Sequence, residues 1–238
     1  LEHPEEDFDS GVIPAQSRGQ VPHFWRWNNF NPWCPLASSA VIMNTNNAST
    51  LRTHIQGMTL SDGTGMDIGT MWGLKALSPA WQGLLGGDFS DRPAAYDEDT
   101  LKVLVVMTDG GITSQDRPEV YTRFNTHTNR SNQPADGNGY GNQGNNHNKQ
   151  VVVSQGGKNT PATNDSAVGY FKRVCDAAKA EGAVIYTIGF QISNNSLPDV
   201  MLEYCASDSS KYYHVESLDI QSAFDAIAAS VNALRIVG

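Results

Sequence analysis

LKVLVVMTDGG, residues 101–111, is the stretch of this sequence that decides the fold. Its first eight residues are mostly apolar and β-branched, and they do not alternate with polar ones. This pattern predicts a strand covered on both faces, as in the middle of a parallel sheet. Asp109 follows where such a strand ends, and ligands of open α/β sheets bind at that carboxyl edge. A carboxylate there, with glycines leaving space around it, suits a hard cation, although an Asp-Gly turn explains the same residues.

Strands and helices alternate along the chain. The predicted strands are 40–43, 101–108, 183–190 and 211–215, and the predicted helices are 49–58, 67–77, 165–181, 197–205 and 217–234. Inward stripes are expected at Val168, Phe171, Cys175 and Ala178, and at Ile220, Phe224, Ile227, Val231 and Leu234, with Ser217 as the N-cap of the last helix. Helices that alternate with buried strands indicate an α/β fold with a doubly wound, mainly parallel sheet.

A second motif precedes one of the predicted helices. Asp62-Gly63-Thr64-Gly65 forms a turn directly before the helix 67–77. Thr64 could simply cap that helix. However, a hydroxyl and a carboxylate on separate loops at one sheet edge are also the parts of a divalent cation site. We therefore treat Thr64 and Asp109 as candidate metal ligands that converge on one edge of the sheet.

An ordered set of residues along the chain resembles a known family. The set is Cys34-Pro35, 41–45, 51–58, Gly63-Thr64, 69–73, 77–79, 105–110, Cys175, Lys179, Gly182, 185–190, 205–207, Tyr213, Ala223-Phe224 and Ile227. In this order it resembles the C-terminal region of TadG-like proteins, the von Willebrand factor A (vWA) domain proteins of bacterial Tad (Flp) pilus assembly systems. The resemblance covers about residues 33 to 234, except for a polar insertion.

The resemblance implies a non-enzymatic binding or assembly module. In that family a metal-ion-dependent adhesion site (MIDAS) binds a divalent cation, Mg or Ca, through which the domain engages a protein partner. Carried over to this chain, the ligands are Thr64 and Asp109. The implied location is the bacterial cell envelope, on the periplasmic or cell-surface side, with membrane attachment only through an anchor that this chain lacks.

One departure from the family pattern concerns the cation site. The family's site also needs an Asp-x-Ser-x-Ser loop, which is absent from this sequence. Asp9-Ser10 is superficially similar but follows no apolar strand, so we interpret it as a polar turn. We therefore expect a partial vWA-like domain, incomplete at its N-terminal side, with an incomplete site. Two oxygen ligands bind such a cation poorly, because these ions take six or more.

Three cysteines, Cys34, Cys175 and Cys205, are present. Their spacing does not indicate a zinc site. Cys175 and Cys205 fall on the helices that flank the strand 183–190, and the envelope location implied by the resemblance would permit a disulfide between them. Buried free thiols are the alternative. If Cys175 and Cys205 form a disulfide, Cys34 is left without a partner in this chain.

The chain is expected to have two regions and one insertion. Residues 1–33 form an irregular, aromatic-rich segment, and residues 34–238 form the partial vWA-like domain. The Asn- and Gly-rich stretch at about 110–165 lacks periodicity, which is typical of an insertion in a loop. Because the insertion begins beside Asp109, it should overhang the candidate ligand edge. Its residues His127 and His147 are expected to be solvated.

Composition excludes several function classes. The net charge of −9 and the pI of about 5.0 argue against a nucleic-acid partner and give no attraction to anionic membranes. The chain also lacks a run of roughly 20 apolar residues for a membrane span. An Asp- and Mg-dependent hydrolase is the enzyme alternative, but no general base is paired with Asp109 by any motif. A purely structural envelope protein with a vestigial cation site is the other alternative.

Overall fold

The computed structural model describes residues 39–43, 45–58, 64–84, 90–97, 99–113, 115–118, 150–217 and 219–237. The chain divides into two compact units. The first, here called the sheet unit, consists of Val41–Arg52, Gly63–Ser114 and Ser154–Gly238, and the second of Leu1–Ala40, Thr53–Asp62 and Gln115–Val153. Our expectations for residues 1–33, Cys34, His127 and His147 lie outside the described residues.

The described residues form five α-helices, two 3-10 turns and five strands. In chain order they are α1 (Ala48–Gly57), α2 (Met66–Ala76), a 3-10 turn (Pro79–Trp81), β1 (Val103–Thr108), β2 (Gln115–Pro118), β3 (Gln150–Val153), α3 (Ala167–Ala180), β4 (Val184–Phe190), α4 (Leu197–Cys205), β5 (Tyr212–Val215) and α5 (Ile220–Val237). A further 3-10 turn, Ser209–Lys211, leads into β5. None of the helices in this described part is both long and apolar enough to cross a membrane.

The sheet unit is built on three parallel strands in the order β1-β4-β5. Val103 of β1 lies opposite Val184 of β4, and Thr187 of β4 lies opposite Tyr212 of β5. Helices α3 and α4 make the crossovers between these strands, as parallel pairing requires. The α/β doubly wound fold class predicted from the sequence is therefore confirmed.

Helices cover both faces of the central strand β4. On one face, the Thr187 hydroxyl donates a hydrogen bond to the Leu202 carbonyl of α4 at 2.9 Å. On the other, Tyr186 and Ile188 form a buried cluster with Ala223 and Ile227 of α5. The solidly apolar sequence of β4 follows from this position, because neither face of the strand meets water.

The prediction that β1 is buried on both faces is wrong. Its residues alternate between buried and exposed positions, with Val105 at 39% and Met107 at 51% exposure. Leu104 packs directly on Gly73 of α2. A Cβ at position 73 would lie 2.7 Å from the Leu104 Cδ1 atom, so with any other residue there the Leu104 side chain would have to shift. Within the described residues β1 pairs only with β4, and the face of β1 that carries Val105 and Met107 is left largely uncovered.

Lys102 interrupts the apolar run just before β1, yet it is buried. Its ammonium group donates hydrogen bonds to the carbonyl oxygens of Leu77 and, at 2.6 Å, of Ala94. The same group lies 3.7 Å from the centre of the Tyr96 ring. Burial lowers the pKa of Lys102, but these acceptors and the ring replace the water that the charge has lost.

Helices α3 and α4 form as the sequence predicted. The stripe Val168, Phe171, Cys175 and Ala178 of α3 is fully buried. The Ser166 hydroxyl caps α3 by accepting a hydrogen bond from the Gly169 amide, and Ser196 caps α4 in the same way through the Asp199 amide. Burial of a side chain the size of Phe171 contributes roughly 3 kcal/mol, more than either cap does at about 1 kcal/mol.

For the last helix, the predicted N-cap and the predicted inward stripe are both wrong in detail. Helix α5 begins at Ile220, three residues after Ser217, and Asp219 accepts a hydrogen bond from the Ser222 amide at 3.4 Å. Ala223 and Ile227 are buried, whereas Phe224 and Leu234, both expected to face inward, are each 41% exposed. The inward face of α5 therefore runs through Ala223 and Ile227, which pack on Tyr186 and Ile188 of β4.

The strand expected at 40–43 is wrong. Those residues carry no strand in the structure, and Val41 is 60% exposed. A short β-branched run becomes a strand only when a neighbouring strand supplies its hydrogen bonds, and none of the described residues does so here. The helix predicted next to it does form, as α1.

The second unit contains Gln115–Val153, the middle part of the predicted insertion. Strands β2 and β3 pair antiparallel, with Gln115 opposite Val153. The apolar clump at 151–153 therefore belongs to a two-stranded sheet. The residues between β2 and β3 lie outside the described part.

Candidate functional site

Asp109 stands immediately after β1, at the carboxyl edge of the parallel sheet. Its side chain is exposed. The turn beneath it is fixed by the Thr108 hydroxyl, which accepts a hydrogen bond from the Gly110 amide at 3.2 Å and donates one to the Gly110 carbonyl at 3.0 Å. A Cβ at Gly110 would meet no atom within 4 Å, so the space beside the carboxylate is open.

Thr64 lies in the loop before α2, and this loop is fastened to the one that carries Asp109. The Thr113 amide donates to the Thr64 carbonyl at 3.1 Å, and the Thr64 amide donates to the Thr113 hydroxyl at 3.0 Å. We call this reciprocal pair the Thr64–Thr113 clasp. It brings the loop before α2 and the loop after β1 together, and that the Thr64 and Asp109 side chains share a cation stays a prediction.

The capping interpretation of Thr64 is wrong. The N-cap of α2 is Gly65, and no side chain caps this helix. Asp67 lies in the first turn of α2 and is buried, where a carboxylate interacts favourably with the helix dipole. The Thr64 side chain is therefore not used up as a helix cap.

Thr64 and Asp109 have the oxygen donors that a hard cation prefers, but two ligands are too few to fill its coordination shell. A hydroxyl and a carboxylate are the oxygen donors that Mg²⁺ and Ca²⁺ take. Within the described residues, however, no group of three or more His, Cys, Asp or Glu side chains is arranged to hold a metal. The two ligands that the described chain offers would need completion by water, by a partner or by other residues.

The clasp gives a direct prediction for Thr113, a residue that sequence reasoning did not single out. The substitution T113V removes the hydroxyl that receives the Thr64 amide, and we expect the free energy of unfolding to fall by about 1 kcal/mol. Urea unfolding measures the change. T113S keeps the hydroxyl and should stay close to wild type, and equal losses in both variants would contradict a role for the hydrogen bond.

Cys175 and Cys205 are joined by a disulfide in the structure, with their Cα atoms 5.2 Å apart. Both residues are fully buried, and the bond ties α3 to α4. Tyr204 reinforces the same junction by donating its hydroxyl to both oxygens of Asp176 at 2.9 Å. Burial and this carboxylate raise the pKa of Tyr204 to about 12, so the hydroxyl remains a donor.

The junction also positions the N-terminus of α4 beside the candidate site. A Cβ at Gly111, two residues after Asp109, would lie 4.0 Å from the Cδ atom of Pro198 in the first turn of α4. The disulfide at the other end of α4 therefore helps to hold this part of the edge in place.

A polar cluster that sequence reasoning missed lies where β5 meets α4. Asp199 accepts hydrogen bonds from Tyr212, from His214 and from the Asn195 amide. Burial would raise the pKa of Asp199, but these hydrogen bonds outweigh it and hold the pKa below its usual value. No short motif links residues 195, 199, 212 and 214, so only the tertiary fold could reveal the cluster.

Comparison with known proteins finds weak structural similarity to two solved structures. One is the vWF domain of the type V pili tip protein Mfa5 from Porphyromonas gingivalis, with 16% identity and a TM-score of 0.42 over 78% of this chain and 73% of that one. The other is the pilus adhesin SpaC from Lactobacillus rhamnosus GG, with 15% identity and a TM-score of 0.40 over 77% of this chain and 21% of that one. No protein-family model and no curated protein matches the sequence. Similarity at this level carries no functional argument, and the fold assignment rests on the chain's own strand order and helix packing.

Proposed function

We propose that this chain is a non-enzymatic binding module whose sheet edge engages a protein partner through a divalent cation, Mg²⁺ or Ca²⁺. Thr64 and Asp109 are the residues of this chain that contact the cation, directly or through water. The Thr64–Thr113 clasp is the observation that supports this most, because it fastens the two ligand-bearing loops together at the carboxyl edge of the sheet. That edge is where open α/β sheets place their ligands.

The ligand chemistry explains how such an edge would recognise a partner. Two protein oxygens leave most positions around the cation open, since these ions take six or more oxygens. A carboxylate of the partner protein can occupy one of the open positions. With Asp109 exposed and Gly110 leaving space beside it, a partner can approach the cation from solvent.

The biological setting of the proposal comes from the sequence resemblance. Because the ordered motifs resemble TadG-like proteins, we propose that the module acts in a Tad-type (Flp) pilus assembly system of the bacterial cell envelope. We propose no nucleic-acid partner, in keeping with the net charge of −9.

Titration calorimetry of MgCl₂, CaCl₂ and MnCl₂ into the intact protein tests the cation site. We expect binding by wild type and an affinity at least about tenfold lower in D109N and in T64V, because each removes a ligand oxygen while preserving shape. D91N, a change of an exposed acid outside the site, is the matched control and should bind as wild type does.

The alternative functions predict different results. If wild type binds none of the three cations, the cation-dependent proposal is wrong and a purely structural envelope protein is favoured. Hydrolysis of phosphoesters that is lost in D109N would instead support an Asp- and Mg-dependent hydrolase. The geometry does not favour that enzyme, because no described residue forms an ion pair or hydrogen bond with the Asp109 carboxylate as a general base would.

A further inference from the structure

A side chain outside the Thr64–Thr113 clasp also holds the loop that follows Asp109. The Gln155 side-chain amide donates a hydrogen bond to the Ile112 carbonyl oxygen at 2.6 Å, across 43 residues of sequence. The Ile112 side chain is fully buried, so this part of the loop lies against the protein interior, where a carbonyl without a partner is costly. Gln155 supplies the partner that this carbonyl needs.

The backbone at Gln155 is itself fixed on the first turn of α3. The Ser154 carbonyl accepts a hydrogen bond from the Ala167 amide at 2.9 Å, and the Gln155 carbonyl accepts one from the Val168 amide at 3.0 Å. Amides at a helix N-terminus have no partner within their own helix, so these two hydrogen bonds stabilise the helix as well as the segment that joins it. The Gln155 side chain therefore extends from a well-anchored stretch of backbone.

Three consecutive residues of the loop after β1 contact three different elements. Gly111 lies beside the first turn of α4, and Ile112 is bound by Gln155 next to α3. Thr113 belongs to the clasp with the loop before α2. Because these contacts come from different elements, a displacement of the loop that keeps one of them disturbs another. The backbone of Asp109, just upstream, is therefore kept at a fixed distance from the loop before α2.

A fixed distance between two ligand-bearing loops affects Mg²⁺ and Ca²⁺ differently. Mg²⁺ requires near-ideal octahedral geometry with oxygen ligands at about 2.1 Å, whereas Ca²⁺ accepts variable geometry at about 2.3 to 2.6 Å. A precise site keeps its donors within about 0.5 Å of the required geometry through the contacts that surround them. Loosening one loop therefore costs Mg²⁺ more affinity than it costs Ca²⁺.

We propose that Gln155 is a positioning residue of the candidate site: its hydrogen bond to Ile112 holds the loop that begins with Asp109 rigid and thereby favours Mg²⁺ over Ca²⁺. The selectivity rests on the cation site put forward above as the function of this edge. Gln155 does not ligate the cation, because its side-chain amide is used on the Ile112 carbonyl. The hydrogen bond itself needs no cation, so its effect on the loop is measurable separately from binding.

Titration calorimetry of MgCl₂ and of CaCl₂ into wild type and Q155M tests the selectivity. Methionine has nearly the length of glutamine but no N–H group, so only the hydrogen bond is lost. We expect the Mg²⁺ affinity of Q155M to fall about fivefold and its Ca²⁺ affinity to change less than about twofold. Q82M is the matched control, because the Gln82 side chain also donates to a backbone carbonyl at 2.6 Å, that of Asp91, outside the site.

Amide hydrogen exchange of the cation-free protein gives an independent readout of the loop. The amides of Gly110 and Thr113 are hydrogen-bonded, to the Thr108 hydroxyl and to the Thr64 carbonyl, so their exchange reports how often the loop opens. In Q155M these amides should exchange about fivefold faster than in wild type, while those of β4 stay unchanged. Wild-type exchange rates in Q155M would show that Gln155 does not hold the loop and would overturn the proposal.

The two measurements together distinguish a failure of this inference from a failure of the cation site. If wild type binds neither cation, the cation site is wrong and the selectivity assigned to Gln155 is wrong with it. If wild type binds both cations and Q155M loses affinity for both equally, or for neither, the cation site stands and the positioning role is wrong. A loss for Mg²⁺ alone, with faster exchange of the loop and an unaffected Q82M, is the result that supports the proposal.

Discussion

Removing the Cys175–Cys205 disulfide in the variant C175A/C205A is expected to lower the free energy of unfolding by about 3 kcal/mol. The bond closes a segment with a sequence separation of 30 and so restricts the unfolded chain. Both cysteines are fully buried, so part of the loss also comes from packing. Urea unfolding of the oxidised wild type and of the double variant measures the difference.

A reductant provides the matched comparison for the disulfide. Dithiothreitol should lower the stability of wild type towards that of the double variant and leave the double variant unchanged. C34S should keep the sensitivity of wild type, because Cys34 is not part of this bond. If the double variant were as stable as oxidised wild type, the disulfide would have no stabilising role in this protein.

The substitution G169A is expected to lower the free energy of unfolding by about 2 to 4 kcal/mol. Gly169 lies in the first turn of α3, where the preceding loop folds back over the helix. A Cβ at this position would overlap the carbonyl oxygen of Asn164 and would lie 3.3 Å from that of Pro161. These are backbone atoms, so the loop itself would have to shift, and the cap from Ser166 to the Gly169 amide would shift with it.

Gly69 of α2 offers a matched control for Gly169. It also lies within a helix, but a Cβ there would meet no atom within 4 Å. G69A should therefore raise the free energy of unfolding by roughly 0.5 to 1 kcal/mol, since alanine favours the helix more than glycine does. Opposite signs for the two changes in thermal or urea unfolding are the expected result. A stable G169A variant would contradict the close approach of the 161–164 loop.

The sequence predicts most reliably those elements whose apolar residues are the ones that become buried. The apolar stripe of α3 and the apolar run of β4 predicted both elements correctly, because α3 buries all four stripe residues and β4 buries its whole run except the half-buried Val184 and Phe190. The run of β1 is as apolar as that of β4 but lies at the edge of the described sheet, and two of its six residues, Val105 and Met107, are exposed. Composition does not distinguish a central strand from an edge strand, since that depends on what pairs with it.

In the candidate site, too, some residues were predictable from the local sequence and others only from tertiary contacts. Asp109 was predictable because it follows a strand directly, and Thr64 because glycines frame it in a loop before a helix. Thr113 was not predictable, because its role comes from two hydrogen bonds that cross 49 residues of sequence. The prediction that Thr64 and Asp109 ligate a cation remains open to the calorimetric test.

The sequence by itself determined the alternation of helices and strands, and with it the α/β class, because hydrophobic periodicity is a local property of the chain. Only the tertiary structure decided which strand lies at the edge, and which polar side chains meet where β5 approaches α4. Asp199 and His214 are 15 residues apart in sequence, yet the Asp199 Oδ1 atom lies 3.0 Å from the His214 Nδ1 atom. Contacts of that kind depend on how packed helices place distant loops against one another, and no local pattern encodes them.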